Sequence, residues 1–301
     1  MGVDPGALLL HFTRNGEYSG GAGDLLVLDR GAGPYVFDVQ GRRYIDGLSS
    51  LFCSQLGYSY GPEFAAASSA QLEKLAFNTN WATAHPGAIE LAERLAALSP
   101  TGPAKVFFTN GGSESVEAAW KVIRQYHLGR GEPGRTKAIA RQTSYHGVTL
   151  GALSLTGVSA FKEPFGPAAI PTAHVSNTNS FRGDLTGAAW TAKLLEEVEA
   201  TIRAEGPETV AAIFAEPVQN AGGCLVPPEG YWRGLREIAD RHGILLVADE
   251  VITGMGRLGE WFGSTRFDAR PDIVTIAKGL TSAYAPMGAV LVADAVAAPL
   301  Y

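Results

Sequence analysis

Hydrophobic and polar positions along the chain follow two different rhythms. Up to about Asp46, short apolar runs alternate with glycine, at residues 25–28, 35–38 and 43–46, with turns expected at Gly31-Ala32-Gly33 and Gln40-Gly41. This pattern predicts a small antiparallel sheet. Apolar residues at helical spacing follow over 63–76 and 86–98, which predicts two amphipathic helices. From Lys105 the rhythm changes to short continuous apolar runs, at 105–109, 137–141, 210–215, 244–248, 273–276 and 289–292. Such runs are typical of strands buried on both faces of a parallel sheet. Helical patterns at 113–128, 188–204 and 231–241 separate several of them. The expected fold is therefore α/β, a mostly parallel central sheet flanked by helices, preceded by a small segment of short antiparallel strands. The boundary is expected near residue 60, giving an N-terminal segment over 1–60 and a large domain over 61–301.

Composition narrows the partners. The 301 residues are 46% hydrophobic and 18% charged, with a net charge of -6, so the chain is globular and carries no basic footprint for nucleic acid. No apolar run reaches the ~20 residues that cross a bilayer, and no basic segment precedes Leu8-Leu9-Leu10 as in a signal peptide. Cys53 and Cys224 are the two cysteines, too few for a disulfide framework and without metal-ligand spacing, so no metal and a cytoplasmic setting are expected.

Ligands of open α/β sheets bind beyond the carboxyl ends of the strands, and three sequence features fall there. The run Thr109-Asn110-Gly111-Gly112-Ser113-Glu114-Ser115 hands a strand to a helix through a turn. Free N–H groups at that helix start, with the Ser113 hydroxyl, suit a phosphate; the competing reading is an ordinary helix start with Ser113 as N-cap. The second feature is Asp249-Glu250 after a buried strand. Acids there need a positive partner such as a protonated pyridine nitrogen, or else they face solvent. The third is Lys278, beside Gly279 at the end of the run 273–276. Partial burial lowers a lysine's pKa and frees its amine to attack an aldehyde, although most lysines are surface charge.

Together these features resemble the three anchors of pyridoxal 5'-phosphate (PLP) in the class III aminotransferases, of PLP fold type I. The resemblance also covers Ser144-Tyr145-His146-Gly147, Ala215-Glu216-Pro217-Val218-Gln219, Gly254-Met255-Gly256-Arg257-Leu258-Gly259 and Pro271-Asp272-Ile273, and runs from His11 to the last residue. It implies that Lys278 holds PLP as a Schiff base and moves the proton, and that Asp249 pairs with the pyridine nitrogen. It further implies that Gly111, Gly112 and Ser113 bind the phosphate, that Tyr145 stacks on the ring with His146 beside it, that Val251 presses the opposite face, and that Glu216 sits near the phenolic oxygen. Substrate contacts are expected from Phe12, Leu51, Phe52, Trp81 and Ala221, with Phe52 standing where many ω-transaminases carry tryptophan.

The implied activity is transfer of an amino group from an ω-amino acid or amine to an oxo acid, with pyruvate the expected acceptor, by a ping-pong cycle in a homodimer with shared active sites. The alternatives are another fold type I PLP enzyme, namely a decarboxylase, racemase or aminomutase, or an inactive scaffold. A nucleotide-binding protein would need a glycine signature that 109–115 lacks. Family members run longer, so the chain is expected to be C-terminally truncated, without the C-terminal small domain and its substrate-binding arginine, and to bind PLP poorly if it ends at Tyr301.

Overall fold

The computed structural model describes residues 4–21, 24–181 and 183–301. The chain divides into two compact units, one ending at Lys74 and one spanning Leu75–Tyr301. Helix α2 accounts for the difference between this division and the boundary expected near residue 60.

In the first unit, β1 (Leu28–Ala32), β2 (Tyr35–Asp38) and β3 (Arg43–Ile45) form an antiparallel sheet in that order. Ala32 pairs with Tyr35, leaving a two-residue loop in which Gly33 takes the positive φ (+54°) that such hairpins require. β1 thus starts at the last residue of the apolar run at 25–28 and ends four residues beyond it. Asp38 closes the next turn, where its carboxylate accepts from the Arg42 and Gln40 amides, the Arg42 guanidinium (2.6 Å) and the Tyr44 hydroxyl (2.9 Å). Burial works to raise its pKa, but these donors outweigh it and bring the value down to about 2. The short turn α1 (Ser49–Phe52) has positive φ throughout, and α2 (Gly61–Lys74) completes the unit.

The second unit is built on a seven-stranded sheet of order β4-β10-β9-β8-β7-β5-β6. Its strands are β4 (Ala104–Thr109), β5 (Lys137–Arg141), β6 (Thr172–Val175), β7 (Val210–Ala215), β8 (Leu245–Asp249), β9 (Ile273–Ile276) and β10 (Gly288–Ala293). All run the same way except β10, which is antiparallel to both β4 and β9. Eleven residues, 277–287, with the 3-10 turn Lys278–Leu280 among them, connect β9 to β10. A return in the parallel direction would need a longer crossover.

The longer helices are α3 (Pro86–Leu98), α4 (Gly112–Gly129), α7 (Gly187–Glu205) and α8 (Tyr231–His242), with the short α5 (Leu150–Leu155), α6 (Ser159–Lys162), α9 (Gly263–Arg266) and α10 (Asp294–Ala297) between them. Alternation along the strands sorts the core onto two faces. Leu246, Ala248, Val274 and Ile276 pack with Leu194, Val198 and Leu235 of α7 and α8. Leu245, Val247 and Ile273 pack with Val116, Ala119 and Ile123 of α4. Each aliphatic side chain so buried contributes ~1.5–3 kcal/mol, and the sandwich fixes the strand ends that carry the site.

Candidate active site

Five strand ends and the turns that follow them meet at the carboxyl edge of the sheet. Gly112, Ser113, Tyr145, His146, Glu216, Asp249, Val251 and Lys278, eight of the nine residues expected to touch a cofactor, line one cavity there. The cavity has a volume of about 110 Å3 and is partly open to solvent. Gly111, the ninth, stands at the rim as the N-cap of α4.

Helix α4 opens on this cavity. Its N-cap is Gly111 and no side chain caps its first turn, so Ser113 is not the N-cap. The Ser113 hydroxyl instead accepts from the Val148 amide (3.1 Å). Gly112 is needed for closeness, because a Cβ there would lie 2.9 Å from Val251 Cγ1. Ser115, one turn inside, was not singled out by the sequence. Its buried hydroxyl lies 2.7 Å from that of Thr109 and donates toward Gly111 O (3.0 Å) and Ile276 O (3.2 Å). It thereby ties the helix start to the strand that delivers Lys278.

The adjacent acids Asp249 and Glu250 are both buried but differ in surroundings. The Glu250 carboxylate accepts from the Gly263 and Ser264 amides (2.9 and 2.6 Å) and the Ser264 and Thr253 hydroxyls. Burial raises its pKa against these hydrogen bonds. Its two oxygens serve the start of α9 with neutral donors, which is a structural role. Asp249 faces the cavity. Its Oδ2 lies 2.7 Å from His146 Nδ1, and its Oδ1 accepts from Thr275 Oγ1 and the Val251 amide at 3.1 Å each. Three donors fix the carboxylate's orientation. His146 Nε2 is buried without a partner among the described residues.

Tyr145 follows β5 and sets its ring edge-on to Phe161, with centroids 6.3 Å apart. Burial, aided by the charge of Asp249, raises its hydroxyl's pKa. Glu216 follows β7, and its oxygens accept from the amides of Tyr145 and Asn220 at 3.3 Å. Burial raises its pKa, opposed by His146 and Arg141 and reinforced by Asp249. Lys278 is half-buried in the turn after β9, with φ of +37°. A non-glycine residue in the left-handed region costs roughly 1–2 kcal/mol and marks a position held for its side chain's direction.

The residues expected to meet substrate are less concentrated. Trp81 is 87% exposed, Ala221 is exposed as well, and neither lines this cavity. Phe12, Leu51 and Phe52 belong to the first unit, and all three have left-handed backbones. Val218, Ile252 and Thr253 line the cavity without having been anticipated. Among the described residues no group of three or more His, Cys, Asp or Glu side chains is arranged to hold a metal, and no helix is long and apolar enough to cross a membrane.

This geometry sets an uncapped helix start, a buried carboxylate and an amine around one cavity. The sequence profile described as Aminotransferase class-III matches residues 18–300, and the chain belongs to that family. It is 47% identical over 293 residues to a Mycobacterium tuberculosis protein described as a probable aminotransferase, covering 95% of this chain and 61% of that protein. It is 40% identical over 272 residues to the putrescine–pyruvate aminotransferase of Pseudomonas aeruginosa, covering 89% and 59%. The solved (S)-enantioselective ω-transaminase of Thermomicrobium roseum superposes with a TM-score of 0.92 at 43% identity, covering 97% of this chain and 65% of that one. The chain thus spans about three fifths of the length of the curated relatives it matches.

Class III aminotransferases are PLP-dependent, and the residues present fit that group. The α4 start offers uncapped amides where a phosphate would need them. Gly112 and Gly147 let the chain pack closely beside it, since a Cβ at Gly147, whose φ is +130°, would run into the Ser113 side chain and lie 2.9 Å from Ala152 Cβ. Asp249 supplies a carboxylate for a ring nitrogen.

Proposed function

We propose that the protein transfers an amino group from an ω-amino acid or amine to an oxo acid, with pyruvate as acceptor, in a ping-pong cycle that uses PLP. The observation that carries this reading is the convergence of Lys278, Asp249 and the uncapped start of α4 on one cavity. The likeness to a putrescine–pyruvate aminotransferase and an ω-transaminase supports the substrate class.

In this reading Lys278 is the point of covalent attachment. Gly111, Gly112 and Ser113 bind the phosphate through backbone amides and the Ser113 hydroxyl. Asp249 holds a proton at the ring nitrogen, and His146, bonded to it at 2.7 Å, keeps its carboxylate aimed. Tyr145 and Val251 orient the ring from opposite faces, and Glu216 lies toward the phenolic oxygen. When bound, PLP supplies a carbonyl carbon that condenses with amines and a ring that accepts the electron pair released at the neighbouring carbon. With PLP bound, the Lys278 amine would be the group that takes up and returns a proton beside it. Phe12, Leu51, Phe52, Trp81 and Ala221 are the residues assigned to substrate, in a cytoplasmic homodimer.

The test is a panel of amine donors offered with pyruvate or 2-oxoglutarate. Stoichiometric consumption of oxo acid and amine, with pyruvate preferred, is the expected result. Amine consumed without loss of oxo acid would instead identify a decarboxylase, racemase or aminomutase on the same fold.

A further inference from the structure

We infer that Thr156 is a positioning residue for the cofactor site, an inference that rests on the PLP reading above. Thr156 is completely buried and follows α5, so it does not line the cavity. Its hydroxyl accepts from the His146 amide (2.9 Å) and donates to the Gly147 carbonyl (3.1 Å). One hydroxyl thus satisfies two backbone groups of the turn that carries Tyr145 and His146 to the cavity, and both residues it serves are themselves buried.

The surrounding contacts make this hydroxyl a link in a strap. Gly157, the next residue, donates its amide to Ser144 O (2.8 Å) and accepts from the Thr143 amide (3.0 Å). A side chain at 157 would run into the Arg141 carbonyl and the Thr143 amide, so the segment 155–157 lies flush against the turn. On the far side, the Val148 amide is held by Ser113 Oγ (3.1 Å). The turn is therefore suspended between the phosphate-side serine and Thr156. Two contacts depend on its position: His146 to Asp249 (2.7 Å) and the Tyr145 amide to Glu216 (3.3 Å). Thr156 sets the ring-facing residues without touching the ring.

The experiment compares wild type, Thr156→Val, Thr156→Ala and Thr156→Ser by PLP titration, visible circular dichroism per bound cofactor, and melting of the cofactor-free protein. Valine keeps the shape of threonine but leaves the His146 amide and Gly147 carbonyl unpaired, and should weaken PLP binding about tenfold. It should also reduce the dichroism of each bound cofactor. Serine keeps the hydroxyl and should restore both. Should valine not fold, alanine carries the same comparison. A purely structural role would lower the melting temperature while leaving affinity and dichroism at wild-type values, and that result overturns the inference. Serine failing as badly as valine overturns it too. If wild type itself takes up no PLP while folded, the functional reading falls, and the inference with it.

Discussion

The two edges of the seven-stranded sheet both bury a histidine and an arginine, yet they are built on opposite terms. At the amino edge, His127 is fully buried with Nε2 on Ala211 O (3.0 Å) and Nδ1 on Glu132 (3.2 Å). Burial lowers its pKa against those two contacts. Arg135 spans three chain segments there, reaching Pro207 O, Val210 O and His242 O at 3.2, 2.9 and 3.1 Å, with its Nε 3.4 Å from Glu132. That cluster closes on itself. At the carboxyl edge, His146 Nε2 and two nitrogens of Arg141 are buried without partners among the described residues, Glu216 has only long bonds, and Lys278 holds a strained backbone. Buried polar groups are normally satisfied. The His127–Arg135 cluster follows that rule, while His146 and Arg141 beside the cavity keep unpartnered nitrogens.

The contrast can be broken by substitution. The largest effect is expected from Asp249→Ala, which removes the ring-nitrogen partner. Transamination should fall about 100-fold or more, measured as oxo-acid turnover, with only a modest change in melting. Arg135→Ala at the opposite edge should do the reverse. Losing three carbonyl contacts, one of them fully buried, should destabilise the fold by about 3 kcal/mol in urea unfolding, while PLP affinity of the folded fraction stays unchanged. If Arg135→Ala instead weakened PLP binding of folded protein, the two edges would not be independent.

Ser115→Ala lies between the extremes. It cuts the tie between the α4 start and Ile276, and should cost about 1 kcal/mol of stability together with a severalfold weaker hold on PLP. The smallest effect sharpens the pH behaviour. Burial raises the Glu216 pKa in the fold, so the stability it contributes is present below its unfolded pKa and is lost as pH rises through the folded one. Glu216→Gln removes that loss. Its melting temperature should exceed wild type at about pH 8 and converge with it at about pH 4.

Much of this was legible in the sequence, for physical reasons. Strands buried on both faces announce themselves as continuous apolar runs, so β4, β5, β7, β8, β9 and β10 lie within a residue or two of expectation. β6 was missed because Thr172-Ala173-His174-Val175 is half-buried and mixed in polarity, with no apolar run to find. The 109–115 turn, Asp249 and Lys278 were legible because strand ends are where sheets present ligand groups, whereas Tyr145, His146, Glu216 and Val251 were expected only from the family resemblance. Glu250 shows the limit. It looks like Asp249 in sequence, and only the fold reveals that its carboxylate is taken by Thr253, Gly263 and Ser264. Ser115 and Thr156 were silent because a buried hydroxyl bonded to backbone leaves no pattern along the chain.

The claim that one amine at the end of β9 meets the aldehyde is tested most directly by reduction. PLP is added to the wild-type chain and to Lys278→Ala, each is treated with borohydride, and the modified peptide is mapped by mass spectrometry. A single stoichiometric adduct on Lys278 in the wild type, absent from the variant, is the predicted result. A stoichiometric adduct on another lysine, surviving undiminished in Lys278→Ala, would contradict the account.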